Sequence, residues 1–314
     1  MEKYNRYGYA CINETLSYKG ISANSRMIKK TFDEKGLEYA SELALKNIRS
    51  IQEILKWNAE HDIELYRLTS DLFPWMSEYE LSDLPNYKMI CQELFECGSI
   101  ANLTGQRITM HPGPFNVLGS PDEAAVRKTI KELNQHAQIL DLMGLEASYY
   151  YPINIHVGGT YGSKEDTMNR FCENFQKLGD SAKKRLIIEN DDRASMYNVK
   201  DIYEGLYQII GVPITFDYHH HRFNTGDLTE EQALKLSAET WPVKQLVHYS
   251  SCKRTFEDPT SRVQAHADWV YEKVKTYGLY LDIELEAKAK ELAVLDYRRR
   301  ENSKMLLKEY KEIC

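Results

Sequence analysis

Eight short apolar runs, alternating with longer stretches of helical spacing, limit what this chain can fold into. The runs cover residues 7–11, 63–68, 106–111, 151–156, 186–189, 213–217, 244–248 and 279–283. Helical patterns fill 37–60, 123–143, 164–178, 229–239 and 263–277, and Pro121-Asp122 opens one of them as a helix start should. Strands separated by helices pair in parallel, and eight is the number that closes a barrel. The expected fold class is therefore α/β, a (β/α)8 TIM barrel, with a doubly wound open sheet as the alternative. No linker rich in Gly, Ser or Pro divides the chain, so 1–314 reads as one domain. Residues 72–86 form an insertion after the second strand, and 285–314 a charged helical tail. Arg298, Arg299 and Arg300 in that tail read as a solvated face.

The strand ends carry the chemistry. Five runs in succession end in His111, His156, Glu189, Asp217 and His248, and the last runs out through the carboxylates of Leu281-Asp-Ile-Glu-Leu-Glu286. A lone His or Glu at a strand end is an ordinary rim group. Six in register, on the rim where all barrel strands finish, imply a shared metal site. Asp217 and His220 are three residues apart in Asp217-Tyr-His-His-His221, so a turn leaving the strand can aim both at one centre. His266 follows the seventh strand. Eight candidate ligands exceed what one ion uses, so two or three ions are implied. Mixed imidazole and carboxylate donors suit Zn²⁺ or Mn²⁺. None of the six cysteines forms a CxxC pair, which excludes a thiolate zinc knuckle and reads as reduced thiols. Clustered divalent ions suit hydrolysis of a phosphate ester. They also reconcile a polyanionic substrate with a net charge of −7 and a pI near 5.8, which announce no basic surface. The loop His156-Val-Gly-Gly-Thr-Tyr-Gly-Ser-Lys164 lets a phosphate approach the backbone, with Lys164 as a point charge. Arg67 is a second candidate phosphate contact. No apolar stretch is long enough for a membrane span and the first ten residues hold no apolar leader, so the expected location is intracellular, not secreted.

Taken together the segments resemble the UV damage endonuclease family, whose barrel is related to that of endonuclease IV-type apurinic nucleases. The resemblance is carried by Arg6-Tyr-Gly-Tyr-Ala-Cys-Ile-Asn13, Tyr66-Arg-Leu-Thr-Ser-Asp-Leu-Phe-Pro74, Met110-His-Pro-Gly-Pro-Phe115 and the 156–164 loop. Ile188-Glu-Asn-Asp-Asp192, Thr215-Phe-Asp-Tyr-His-His-His221, Val247-His-Tyr-Ser250, Ala265-His-Ala-Asp268 and Leu285-Glu-Ala-Lys-Ala-Lys-Glu291 continue it. It implies a metal-dependent, ATP-independent enzyme that nicks double-stranded DNA immediately 5′ to cyclobutane pyrimidine dimers and 6-4 photoproducts. It implies up to three divalent ions, manganese first, with zinc, magnesium or cobalt as alternatives, and no nucleotide cofactor. The ligands carried over are His111, His156, Glu189, Asp217, His220, His248, His266 and Glu286, with Glu189 bridging. Glu286 is preferred over Glu284 on the motif alone. Tyr9 and Asn13 match positions that face damaged DNA.

Three departures are visible. Pro114 replaces a glutamine that probes the base stack, while Phe115 keeps the aromatic. Glu78 stands where many members have histidine. Leu246 stands where some carry a lysine, with Lys244 two residues earlier. The expected chemistry is in-line attack by metal-activated water, leaving a 3′-hydroxyl and a 5′-phosphate, with Glu189 and Lys164 as catalytic candidates. Phe115 and Tyr9 are the wedge and stacking candidates against an everted dinucleotide. A monomer is expected. The alternatives are an apurinic endonuclease of endonuclease IV type, a metal-dependent sugar isomerase or epimerase, and a non-catalytic binder of damaged DNA.

Overall fold

The computed structural model describes residues 4–302. Its centre is a closed barrel of eight parallel strands in chain order: β1 Arg6–Ala10, β2 Leu65–Leu68, β3 Arg107–Met110, β4 Ile153–His156, β5 Leu186–Glu189, β6 Ile214–Asp217, β7 Leu246–Tyr249 and β8 Asp282–Leu285. β8 pairs with β1, Arg6 opposite Asp282, which closes the ring. The eighth strand thus starts three residues later than the apolar run suggests, and Glu284 falls inside it.

Alternation along each strand divides the residues between two environments. Tyr7, Tyr9, Tyr66, Ile108, Ile155, Ile188, Phe216, Val247 and Ile283 point outward and pack under the helices in one continuous core. Leu65, Ile187 and Leu246 point inward and form a small apolar plug with Trp241. Gly8 also faces inward, where an added Cβ would lie 2.1 Å from the Leu65 carbonyl oxygen. Below the plug, Asp282 is ringed by Arg6 (2.7 Å, Nε to Oδ1), Arg107 (2.8 Å) and Lys244 (2.9 Å). Lys244 is therefore at the end of the barrel away from the rim, and Leu246 fills the plug.

The helices at Glu123–Leu142, Lys164–Phe175 and Glu230–Ala238 lie where the spacing puts them. The first long helix, Lys29–Glu60, is broken at Gly36 (φ 61°), next to where the apolar period begins. The expected helix over 263–277 does not form. Its amides are directed elsewhere: Asp268 to Glu257 Oε1 (2.7 Å), Tyr271 to Ser251 Oγ (3.0 Å) and Val274 to the Tyr297 hydroxyl (3.1 Å). With those donors taken by distant side chains, no i−4 ladder can form. The segment runs as an irregular strap that brings His266 to the rim.

Of the terminal arginines, Arg298 donates to the His61 and Asp62 carbonyls (2.9 Å each), and Arg299 pairs with Asp296 at 2.9 Å. The rest of the tail, 303–314, lies outside the described residues. Among the described residues no helix is long and apolar enough to cross a membrane, and five cysteines are free thiols.

Candidate active site

Glu189 ends β5 and is almost wholly buried. Its Oε2 lies 3.1 Å from His111 Nε2, 3.1 Å from His248 Nδ1 and 3.8 Å from His156 Nε2, and its Oε1 lies 3.2 Å from His220 Nδ1. Asn154 also donates to Oε2. Four imidazoles thus meet one carboxylate: His111, His156 and His248 because they stand at or just beyond the C-terminal ends of their strands with inward parity, and His220 because the turn after β6 returns it. Asp217 ends β6, and its Oδ1 accepts the His220 amide at 2.7 Å, which folds the His-rich run into a single turn and returns His220 to the rim. His219 and His221 are buried to the side.

The donor atoms group into three triads, each with its atoms within 4.8 Å of one another: His111, His156 and Glu189; Glu189, Asp217 and His220; Asp217, His248 and Glu286. Neighbouring triads share Glu189 and then Asp217, so the cluster is a chain of three adjacent groups, each of which could hold a cation. His266 lies just outside the triads, with Nδ1 3.6 Å from Glu286 Oε2.

Burial raises the Glu189 carboxyl, but His248 and His156 outweigh it and hold the group well below the usual range. Burial lowers His248, and Glu189 with Glu284 reverses this, pushing the imidazole up to about 10. Asp217 is raised, chiefly by burial and despite His220. Asp217 Oδ2 and both ring nitrogens of His248 are buried without a partner in hydrogen-bond geometry. His248 Nδ1 sits at ion-pair distance from Glu189 yet does not point its lone pair or proton along that line. Buried polar atoms without hydrogen bonds are costly. Donors that converge on common points rather than on each other fit bound divalent cations.

Three supporting residues, Asn154, Asp191 and Thr109, escape the strand-end argument, and Glu284, set aside there for Glu286, joins them. Asn154 holds Glu189, Asp191 Oδ1 lies 3.0 Å from His156 Nδ1, Glu284 lies 2.8 Å from Arg67, and Thr109 donates to Glu284 at 3.3 Å. Each is two residues from a proposed ligand, and Asn154, Thr109 and Glu284 share the inward face of their strands, which is the signal that marks them.

A cavity of about 1010 Å³ opens beside the cluster, lined by His156 and His220, by the rings of Trp75, Phe115 and Tyr161, and by Arg193. Phe115 is 89% exposed. The other expected DNA contacts are placed differently. Tyr9 is fully buried, since its odd position on β1 turns it toward the helices. Its hydroxyl donates to Asn58 Oδ1 (2.7 Å) and accepts from Asn13 Nδ2 (2.9 Å). Asn13 is buried as well, and its side chain caps the short helix Glu14–Ser17 through the Leu16 amide (2.9 Å). Neither can reach DNA. Arg67 is committed to Glu286 (2.6 Å) and Glu284 (2.8 Å). Lys164 is committed to Asp201 (2.6 Å), and Ser163 already caps the helix behind it. Neither is a free phosphate contact. Glu78 pairs with Lys128 at 3.3 Å. Tyr9→Phe should therefore destabilise the fold by about 1–3 kcal/mol, by leaving two buried amide atoms unpaired. Urea unfolding will show the loss, and discrimination between damaged and intact DNA will not change; a changed discrimination would return Tyr9 to the interface.

Comparison with known proteins agrees with this geometry. A family described as UV-endonuclease UvdE matches residues 5–314. A UV-damage endonuclease of Schizosaccharomyces pombe is 34% identical over 311 residues, covering 94% of this chain and 50% of that protein. The chain thus spans half the length of that relative. A UV DNA damage endonuclease of Clostridium perfringens is 31% identical over 301 residues, covering 92% of this chain and 69% of that one. The crystal structure of SacUVDE superposes with a TM-score of 0.82 at 31% identity, over 96% of this chain and 100% of that one. A D-psicose 3-epimerase of Clostridium cellulolyticum H10 (TM-score 0.52, 12% identity, 75% of this chain and 78% of that one) shares the barrel alone.

Proposed function

The chain belongs to the UV-endonuclease UvdE family, and on that premise we propose that it nicks duplex DNA immediately 5′ to ultraviolet photoproducts, by metal-dependent hydrolysis without ATP. The observation that carries the reading is the chain of three triads sharing Glu189 and Asp217. His111, His156, Glu189, Asp217, His220, His248 and Glu286 would hold two or three divalent ions, with His266 closing the outer position. Manganese is the proposed occupant on the mixed nitrogen and oxygen donors, against zinc, magnesium and cobalt. Such ions activate water and stabilise charge on both the attacking and departing oxygens of a phosphodiester.

The chain's own residues set the geometry. Asn154 fixes the rotamer of Glu189, and Asp191 Oδ1 stands 3.0 Å from His156 Nδ1. Arg67 holds Glu284 and Glu286 in place, so it acts as a positioning residue. Phe115, projecting at the cavity mouth, takes the space left by an everted dinucleotide. A photodimer stacks and pairs poorly, so its extrusion costs less than that of intact bases. That difference selects damage without reading sequence. Pro114 beside Phe115 narrows the probe to one aromatic ring.

The deciding experiment uses an end-labelled duplex with one cyclobutane dimer and its undamaged twin, with Mn²⁺ and in parallel with EDTA. The expected result is a nick at the dimer's 5′ side, in Mn²⁺ only, leaving a 3′-hydroxyl and a 5′-phosphate. No nick on the dimer with any divalent metal would sink the reading. Cutting of an abasic duplex and none of the dimer would favour an apurinic endonuclease.

A further inference from the structure

The two cations that the sequence offers for phosphate binding are tied up, Arg67 by Glu284 and Glu286 and Lys164 by Asp201. Two others on the rim are not. The side chains of Arg193 and Lys290 form no ion pair or hydrogen bond with another described residue.

Arg193 follows β5 and lines the cavity together with His156 and His220. Its backbone is fixed. Its carbonyl accepts from the Met196 amide (2.8 Å) and from Asn224 Nδ2 (2.9 Å), while the Asp191 amide donates to the Tyr197 carbonyl (2.8 Å). The side chain is exposed from that anchored turn. A rigid loop presenting an unpaired guanidinium beside a cluster of carboxylates is unusual, since Asp191 and Asp192 are its neighbours in sequence and it pairs with neither.

Lys290 follows β8, four residues beyond Glu286, and opens the helix Lys290–Asn302. Its φ is +53°, a left-handed conformation that favours glycine over lysine. The flanking backbone is held to the strap that carries His266, by Lys288 N to Ala267 O (3.2 Å) and Ala289 N to Asp268 O (2.9 Å). Glu291 holds the other side, accepting the Glu14 and Thr15 amides at 2.7 Å each. A half-exposed lysine in this conformation, with no side-chain partner among the described residues, is available to a ligand.

Between these two positions stand the ends of β6 and β7, with Asp217 and His248. We propose that Arg193 and Lys290 bind backbone phosphates on either side of the cut, a proposal that rests on the DNA-nicking reading above. With a net charge of −7 the protein repels DNA in bulk, so binding depends on few contacts, and each one should be measurable.

The test measures binding to dimer-containing and undamaged duplex by fluorescence anisotropy, over a salt series at fixed Mn²⁺. The proteins are wild type, Arg193→Gln, Lys290→Gly, their double variant, and Lys184→Gln. Lys184 is an exposed cation just before β5, at the opposite end of the barrel. Each proposed contact should contribute about 0.9 to the slope of log K against log salt, which is roughly a threefold change in affinity over a fourfold change in salt. Each single variant should lose that much slope and the double variant about twice as much. The loss should be the same on both duplexes, because phosphates carry no damage signal. KM for incision should rise more than kcat falls. Lys290→Gly should melt no lower than wild type, since glycine adopts the positive φ freely. Slopes equal to wild type, in a protein that still nicks the dimer, would overturn the proposal and leave the function standing. A slope loss of the same size in Lys184→Gln would also overturn it, by showing a bulk charge effect. Wild type that neither binds nor nicks the dimer would overturn both.

Discussion

Glu189→Gln will reduce incision more than about 100-fold, beyond the range of about 10- to 100-fold that loss of a ligand's supporting partner costs. The substitution preserves shape and removes one charge. That charge lies within 3.1–3.8 Å of four imidazoles and belongs to two of the three triads. Its removal therefore weakens two cation positions at once, whereas a change at His111 or Glu286 touches one. Activity alone would not separate lost metal from a damaged fold. Thermal unfolding of the apoprotein with and without added Mn²⁺ does so. A ligand that binds only the folded state stabilises by about 2.7 kcal/mol at a hundredfold excess over its dissociation constant. Wild type should show such a shift, and Glu189→Gln should show most of it lost, with a midpoint near that of the wild-type apoprotein. A variant that keeps both the shift and the incision rate would remove Glu189 from the centre of the mechanism.

The clustering of the strand-end histidines and carboxylates was legible because their placement needs only strand ends and parity, both local properties. A histidine at 111 or a glutamate at 189 sets the inward face of its own strand, and with it Thr109 and Asp191. β1 carries no such marker. Nothing in Arg6–Ala10 says which alternate set faces inward, and Tyr9 fell on the helix side. Arg67 and Lys164 failed for a different reason. Their residue type suits phosphate, but their partners Glu284, Glu286 and Asp201 are brought to them only by closure of the barrel and packing of the 199–210 helix. The strap over 263–277 has the same origin. Val263, Val270, Val274 and Tyr277 are spaced as on a helix face, yet the side chains that take the strap's amides are Glu257, Ser251 and Tyr297. Long-range competition for hydrogen bonds is not visible in a periodicity.

The largest loss of stability is expected far from the cluster, in Asp282→Asn. Asp282 is fully buried and compensates three buried cations, Arg6, Arg107 and Lys244. Removing one partner from a buried charge network leaves the others uncompensated and costs about 3–5 kcal/mol. Here the excess is already positive. Arg107 tolerates it because its remaining donors reach the carbonyls of Tyr149 (2.9 Å), Tyr150 (2.6 Å) and Lys244 (2.8 Å). Burial lowers the Arg107 guanidinium in spite of Asp282, which shows how little reserve the site has. Urea unfolding should show a lower midpoint with an unchanged slope. The pH dependence identifies the cause. Burial raises the Asp282 carboxyl, but Arg6 and Arg107 outweigh it and hold it below its ordinary value of 3.8. The carboxylate's stabilisation is then complete above that pH and is lost as pH falls below it. The gap between wild type and Asp282→Asn should be full at neutral pH and close in acid, where the protonated carboxyl resembles the amide. Adding Lys244→Met to Asp282→Asn removes one surplus cation and should recover part of the loss. A double variant no more stable than Asp282→Asn would show that the loss comes from missing hydrogen bonds rather than from uncompensated charge.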